Sequence, residues 1–332
     1  MGHIRARRPA LTAVGMLSVA VLTAACSSSG SSSGTGSASA QATGNSAGTT
    51  SIVVGSLPLV DTAGLQVAVK EGYFTQAGLN VTIKSVAQST AAIPDLLHGS
   101  IDVIGGGNYV SFFEAQAHGT FPVEILAPAT DCTPDTFGVV AMPSSGISKP
   151  ADLAGKTIAV NLTQNIQTLA TSSALSADGV TASSVHYVQI PFPDMVAALK
   201  ANRVNAVSVV EPFMSAALAA GGKVVTSTCS GSMADFPLSG YITTQSWAQQ
   251  HAAAARAFTQ AVEKGNAYAN AHPSVVRSLL PTYTKITAQA AANMPLTSYP
   301  TTLSAASMQR VATLMRGGGL ATPSDLTSML FS

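Results

Sequence analysis

Ser51-Ile52-Val53-Val54-Gly55-Ser56-Leu57-Pro58 opens the part of the chain that can fold, and the residues from there to Val86 decide the architecture. The first run is short, apolar and rich in β-branched residues, and Pro58 stops it, which is the signature of a buried strand. Thr62 to Gln76 carries Leu65, Val69 and Phe74 at roughly helical spacing, and Gly78 ends it. Asn80 to Val86 then alternates as a strand does. Strand, helix and strand in that order form the unit of a parallel sheet covered by helices.

Working outward, the rhythm continues. Thr90 to His98 reads as a helix with Gly99 at its C-terminal cap, Ile101 to Gly105 as a strand, Asn108 to Ala117 as a helix, and Val123–Ala129 and Thr136–Met142 as strands. A second unit repeats it. A helical turn at Lys149–Lys156 leads to strands at Thr157–Asn161, Val185–Ile190, Ala206–Val210 and Lys223–Thr228, with helices at Asn165–Ala177, Met195–Ala201 and Phe213–Ala220 between them. After Pro237 comes one more strand, Ser239–Thr244, then alanine-rich helices at Ser246–Ala271, Ser274–Thr282, Thr287–Asn293 and Leu303–Arg316. His272-Pro273, Pro281 and Pro295 are expected to break these helices, because proline lacks an N–H and fixes φ. The expected fold is α/β with two lobes. Residues 51–138 and 238–332 make the first, residues 139–237 the second, the helical coda folds back on the first, and the chain crosses between them twice.

Upstream of Ser51 nothing can build a core. Ser27 to Thr50 holds Ser, Gly, Thr and Ala with Gln41 and Asn45, and no aromatic or charged residue. Such a segment cannot offset its ordering entropy, so residues 26–50 are expected to be a flexible tether. Before it, the basic stretch His3-Ile4-Arg5-Ala6-Arg7-Arg8 is followed by an apolar run from Ala10 to Ala25 and closes as Leu22-Thr23-Ala24-Ala25-Cys26. Basic end, short apolar run and small residues before a cut site are what a secretory machine reads. The run is shorter than the roughly 20 residues of a membrane-spanning helix. It resembles a bacterial lipoprotein signal in its permissive form, since Thr23 stands where leucine is usual. The resemblance implies removal of residues 1–25, lipidation of Cys26 and attachment to the outer face of the cytoplasmic membrane. The alternative is a plain signal peptide cut nearby. Each buried lipid methylene contributes about 0.8 kcal/mol, and two acyl chains hold where one does not.

Composition narrows the function. About 280 residues follow the tether, enough for one large or two medium domains. Only 9% of residues are charged and the formal net charge is +1, with no basic run after the leader, so nucleic acid is not an expected partner. The chain lacks a Gly-x-Ser-x-Gly elbow, a phosphate loop, a His-Glu-x-x-His motif and paired-cysteine metal spacing; no catalytic residue, metal or cofactor is expected. None of the six histidines pairs locally with a carboxylate.

Five segments in order carry a family likeness. Lys70-Glu71-Gly72-Tyr73-Phe74 through Gly78-Leu79-Asn80-Val81, Leu96-Leu97-His98-Gly99-Ser100-Ile101-Asp102, Asp152-Leu153-Ala154-Gly155-Lys156-Thr157-Ile158-Ala159-Val160, Ala197 to Ala206, and Val210-Glu211-Pro212-Phe213 resemble the SsuA-like nitrate/sulfonate/taurine-type substrate-binding proteins of ABC transporters, within the THI5-like/NMT1-like superfamily. Asn205 stands where the pattern has an acidic residue. The resemblance implies a two-lobed periplasmic-binding-protein fold with two mixed, mostly parallel sheets and a ligand cleft. It implies a small-molecule ligand of sulfonate or taurine type, an ABC permease as partner, and a monomer. Pyrimidine-precursor binding, synthase-like catalysis and ligand sensing without transport are the alternatives.

In such sheets ligands sit beyond the carboxyl ends of strands, where helix N-termini offer free N–H groups. Ser56, the segment Gln88-Ser89-Thr90, the segment Gly107-Asn108-Tyr109, and Asn161, Thr163, Gln164 and Asn165 meet this rule. Ordinary helix capping or a polar loop explains the same residues. Glu211, at the mouth of an apolar strand, favours an amine or hydrogen-bond donor in the ligand, with a structural role at the hinge or a salt bridge as the alternative. Phe213, Tyr241 and Phe192 are candidate pocket walls, although aromatic residues more often belong to the core. Cys132 and Cys229 each precede a crossing between lobes. Outside the cytoplasm they are expected to form a disulfide near the hinge.

Overall fold

The computed structural model describes residues 49–332. The leader, Cys26 and nearly all of the tether lie outside the described residues. Ten strands are described: β1 Thr50–Ser56, β2 Leu79–Ser85, β3 Val103–Asn108, β4 Val123–Asp131, β5 Phe137–Ala141, β6 Thr157–Val160, β7 His186–Gln189, β8 Ala206–Val210, β9 Lys223–Ser227 and β10 Pro237–Thr244. They form two five-stranded sheets, ordered β2-β1-β3-β10-β4 and β7-β6-β8-β5-β9.

The two sheets share one plan. In each, three strands run parallel, and the fourth position holds a strand antiparallel to both its neighbours. That strand is always the first one the chain makes after crossing from the other sheet: β5 follows the crossing out of β4, and β10 follows the crossing out of β9. The two crossing segments lie side by side. Cys132 N donates to Phe236 O at 2.7 Å, Asp235 N donates to Cys132 O at 3.1 Å, and a disulfide joins Cys132 to Cys229.

A repeated side-chain device accounts for two of the family-like segments. Just before β3, Asp102 Oδ2 accepts from Val53 N on β1 at 2.7 Å. Just before β8, Asn205 Oδ1 accepts from Thr157 N on β6 at 2.9 Å. The position needs only an acceptor oxygen aimed at a neighbouring strand, which is why asparagine serves in the second sheet where the pattern has an acid.

Twelve α-helices are described, in order α1 Ala63–Lys70, α2 Tyr73–Gln76, α3 Ile93–Leu97, α4 Tyr109–Ala117, α5 Ile166–Ala177, α6 Phe192–Lys200, α7 Phe213–Ala219, α8 Gln245–Gln250, α9 Ala252–Ala271, α10 Pro273–Tyr283, α11 Ala288–Asn293 and α12 Ala305–Gly317. Three departures from the sequence pattern have local causes. The helix expected over Thr62–Gln76 is split, because Gly72 takes φ +72° and turns the chain between α1 and α2. The helix expected over Ser246–Ala271 breaks at His251. Pro281, expected to break a helix, lies inside α10, which continues to Tyr283. So close to the C-terminal end, the missing N–H removes a single bond of the ladder.

Candidate functional site

A small cavity lies where the carboxyl ends of the parallel strands of both sheets converge. The room it leaves for the centres of water-sized molecules is about 40 Å³. From the first sheet come Leu57, Leu59 and Asp61 after β1, Ser89 after β2, Gly106 and Asn108 at the end of β3, and Leu238 and Ser239 on β10. From the second come Phe137 on β5, Asn161, Asn165, Ile166 and Gln167 after β6, Phe192 at the start of α6, and Val210 at the end of β8.

The polar side chains are held in place by the elements they start. Asn108 caps α4, its Oδ1 accepting from Ser111 N at 2.9 Å. Asn165 caps α5, its Oδ1 accepting from Gln167 N at 3.0 Å and Thr168 N at 3.4 Å. With both side-chain oxygens used for capping, the amide N–H groups remain as donors. Gln167 is held at both ends of its amide, donating from Nε2 to Ser208 O at 2.7 Å and accepting at Oε1 from Asn161 N. Gln88 bridges the two sheets, donating to Asn161 O at 2.9 Å.

Asp61 supplies the one charge on the wall. Its Oδ2 accepts from Thr130 Oγ1 at 3.1 Å and from Ser239 Oγ at 3.0 Å, and those two hydroxyls lie 3.0 Å from each other. Burial pushes the Asp61 carboxyl above the ordinary carboxylate range, and the Ser239 and Thr130 hydroxyls pull it partly back.

Of the residues singled out from sequence, Ser89, Asn108, Asn161, Asn165 and Phe192 line the cavity. The others lie elsewhere. Ser56 is buried at the end of β1, donating to Leu57 O at 3.3 Å. Thr90 begins a short 3₁₀ turn. Gly107 packs so tightly that a Cβ there would meet Phe112 at 2.7 Å and Ile242 at 3.0 Å. Tyr109 and Tyr241 are core residues, packed on Phe113 and Phe258. Thr163 and Gln164 are exposed and border a wider groove of about 730 Å³ between α5 and α12. Phe213 stacks on Phe192 with centroids 5.2 Å apart, backing the wall from behind.

Glu211 is 2% exposed, and both its oxygens are taken by Ser215: the backbone N reaches Oε2 at 3.0 Å and the hydroxyl reaches Oε1 at 2.8 Å. Burial pushes its carboxyl up to about 7, against the lowering pull of those two bonds. Its backbone joins the sheets, accepting from Val60 N at 3.4 Å and donating to Thr136 O at 3.0 Å. Asp61, Ser239, Phe137 and Leu238 were not singled out from sequence. Asp61 lies in the loop after β1, three residues beyond Pro58, and an acid in that loop is the signal that points to it.

The NMT1/THI5-like family profile matches residues 60–275. The chain belongs to the NMT1/THI5-like family. No curated protein matches it in sequence. Among solved structures, it is similar to the alkanesulfonate-binding protein SsuA from Xanthomonas axonopodis pv. citri bound to MOPS, with TM-score 0.71 and 17% identity over 86% of this chain and 99% of that one. It is also similar to a ligand-binding component of an ABC-type import system from Staphylococcus aureus, with TM-score 0.72 and 18% identity over 85% and 96%. The desulfurization enzyme DSZB has the same fold, with TM-score 0.63 and 16% identity over 85% and 96%. At these identities the likeness is one of fold. Family membership and a periplasmic-binding-protein architecture are therefore properties of this chain, while ligand and chemistry rest on the site itself.

Proposed function

We propose that this NMT1/THI5-like protein is an exported solute-binding protein that delivers a small organic molecule to an ABC importer. The observation that carries this reading is the cavity closed between the two sheets, with polar groups contributed by both and a Gln88–Asn161 bond across the gap. Among the described residues the sheets are linked by two chain crossings, tied to each other by the Cys132–Cys229 disulfide, which is the construction of a hinge. The solute is small and partly apolar, because Leu57, Leu59, Phe137, Ile166, Phe192, Val210 and Leu238 make about half of the wall.

The enzyme-bearing members of this fold motivate a second reading, catalysis in the same cavity. The wall offers no cysteine, histidine or lysine to act as nucleophile or base, which favours binding over chemistry. Lipidation at Cys26 and a position on the outer face of the membrane belong to the same proposal, drawn from the leader. A monomer is expected, since a receptor of this kind presents both lobes to one permease.

The test is a thermal-shift screen of the mature chain against sulfonates, amino-sulfonates, nitrate and pyrimidines, followed by small-angle scattering of any hit. A true ligand raises Tm, because it binds only the folded state, and lowers the radius of gyration. Turnover of a hit into a new compound would replace the receptor reading with the enzymatic one. The anchor is checked on the full chain, which partitions with membranes unless Cys26→Ala releases it.

A further inference from the structure

The cavity wall carries one ionisable side chain, it is an acid, and no basic side chain in the wall pairs with it. Besides Asp61 the lining consists of Leu, Ile, Val, Phe, Gly, Ser, Asn and Gln; no lysine, arginine or histidine contributes. Thr130 and Ser239 both give their hydroxyl protons toward Oδ2, and Oδ1 receives no side-chain donor among the described residues. Neither hydroxyl is itself charged, so the carboxylate is solvated in part but not neutralised.

A carboxylate half withdrawn from water without a counter-charge is a costly arrangement, and proteins resolve it by protonation or by pairing. The burial that raises the affinity of Asp61 for a proton raises its affinity for any other cation that fits. The remaining polar groups on the wall, from Asn108, Asn161, Asn165 and Ser89, are neutral and suit a hydrogen-bonding remainder of the ligand. A simple anion would meet the wall's only charge as a repulsion and find no basic side chain in return.

Building on the reading of this cavity as a solute site, we infer that Asp61 receives a positively charged nitrogen of the ligand, so that the solute class is a small organic amine or amidine, zwitterions included, and not a simple anion. The carboxylate then has a second effect. Closing the two sheets over an empty cavity leaves the charge unpaired, whereas closing them over an ammonium pairs it, so the same residue that selects the ligand makes closure depend on it.

The experiment uses matched compounds that differ in one group: taurine against isethionate, β-alanine against 3-hydroxypropionate, and ethanolamine against ethylene glycol. Each is titrated calorimetrically into the mature wild-type chain and into Asp61→Asn. Asparagine keeps an acceptor oxygen for Thr130 and Ser239 and removes only the charge, and a circular-dichroism melt confirms that the variant is folded. The expected result is that at least one amine binds roughly tenfold to a hundredfold more tightly than its hydroxyl partner, in keeping with a charge-assisted hydrogen bond, and that Asp61→Asn erases the preference. Equal or tighter binding of the hydroxyl compounds, or an amine preference that survives Asp61→Asn, overturns the assignment of Asp61 while leaving the receptor reading intact. Absence of binding by every compound counts against the cavity as a solute site, and the inference falls with it.

Discussion

Two carboxyl groups sit near the meeting of the sheets, Asp61 half-buried and Glu211 buried, and their surroundings give them different work. Asp61 faces the cavity. Glu211 faces its own chain, where Ser215 occupies both oxygens and the backbone ties β5 and the loop after β1 together. Its carboxyl, pushed up to about 7, holds a proton in the folded state that the unfolded chain releases near its ordinary value of 4.5. Between those pH values the folded state binds more protons than the unfolded one, so this group's contribution to stability falls as pH rises from about 4.5 to about 7. Glu211→Gln imitates the protonated form. Its stability relative to wild type should therefore improve by up to roughly 3 kcal/mol across that window, read as the difference between denaturant-unfolding curves at pH 4.5 and 7.5. A difference that stays flat with pH would show that Glu211 is already ionised in the folded protein. The cavity was partly legible at this scale. Asn108 and Asn165 stand out because small polar residues between a strand and a helix cap the helix, and the cap lies at the sheet's carboxyl edge; Ser89 and Asn161 stand out only as small polar residues in the same kind of loop. Tyr109 and Tyr241 are misleading for a physical reason: each occupies an element that reaches the site, but the side chain points from it into the core. Phe137, Leu238 and Ser239 sit on β5 and β10, whose positions beside the cavity come from pairing partners far away in the sequence.

At the scale of elements, the alternation of strand and helix was readable because each buried strand is short, apolar and punctuated by glycine or proline. The long alanine-rich region was less so, since alanine favours a helix everywhere and marks no ends, neither the break at His251 nor the continuation through Pro281. One helix contact is narrow. α9 runs against α1 where Gly265 meets Gly64, and a Cβ on Gly265 would come to 2.2 Å from Gly64 O and 3.0 Å from Ala68 Cβ. The obstacle is backbone, which cannot turn aside. Gly265→Ala gains helix propensity of roughly 1 kcal/mol but must push two helices apart, a strain of typically 1–3 kcal/mol. We expect net destabilisation of up to about 2 kcal/mol, with the midpoint of urea unfolding shifted down. A midpoint shifted up would mean that α9 can slide past α1 without strain.

For the molecule as a whole, the crossing segments decide how the two sheets are joined. Cys132 and Cys229 are 97 residues apart and close a loop that contains the whole second sheet. In the chain-entropy model a loop of that length is worth up to about 4.7 kcal/mol, and measured bridges more often give 2–4. The double variant Cys132→Ser with Cys229→Ser should lose roughly 2–4 kcal/mol in denaturant unfolding under oxidising conditions. Unchanged stability would assign the junction to the backbone bonds between Cys132, Asp235 and Phe236. The exchange of antiparallel strands has a different outcome, one that concerns synthesis. The second sheet is complete once residues 137–227 have left the ribosome, because all five of its strands come from that span. The first sheet is not: β10 stands between β3 and β4, and until residues 237–244 emerge, β4 has no partner strand. The half of the protein that is made first is thus finished last, and a nascent chain stopped before residue 237 would carry β3 and β4 with open edges ready to pair with a neighbour.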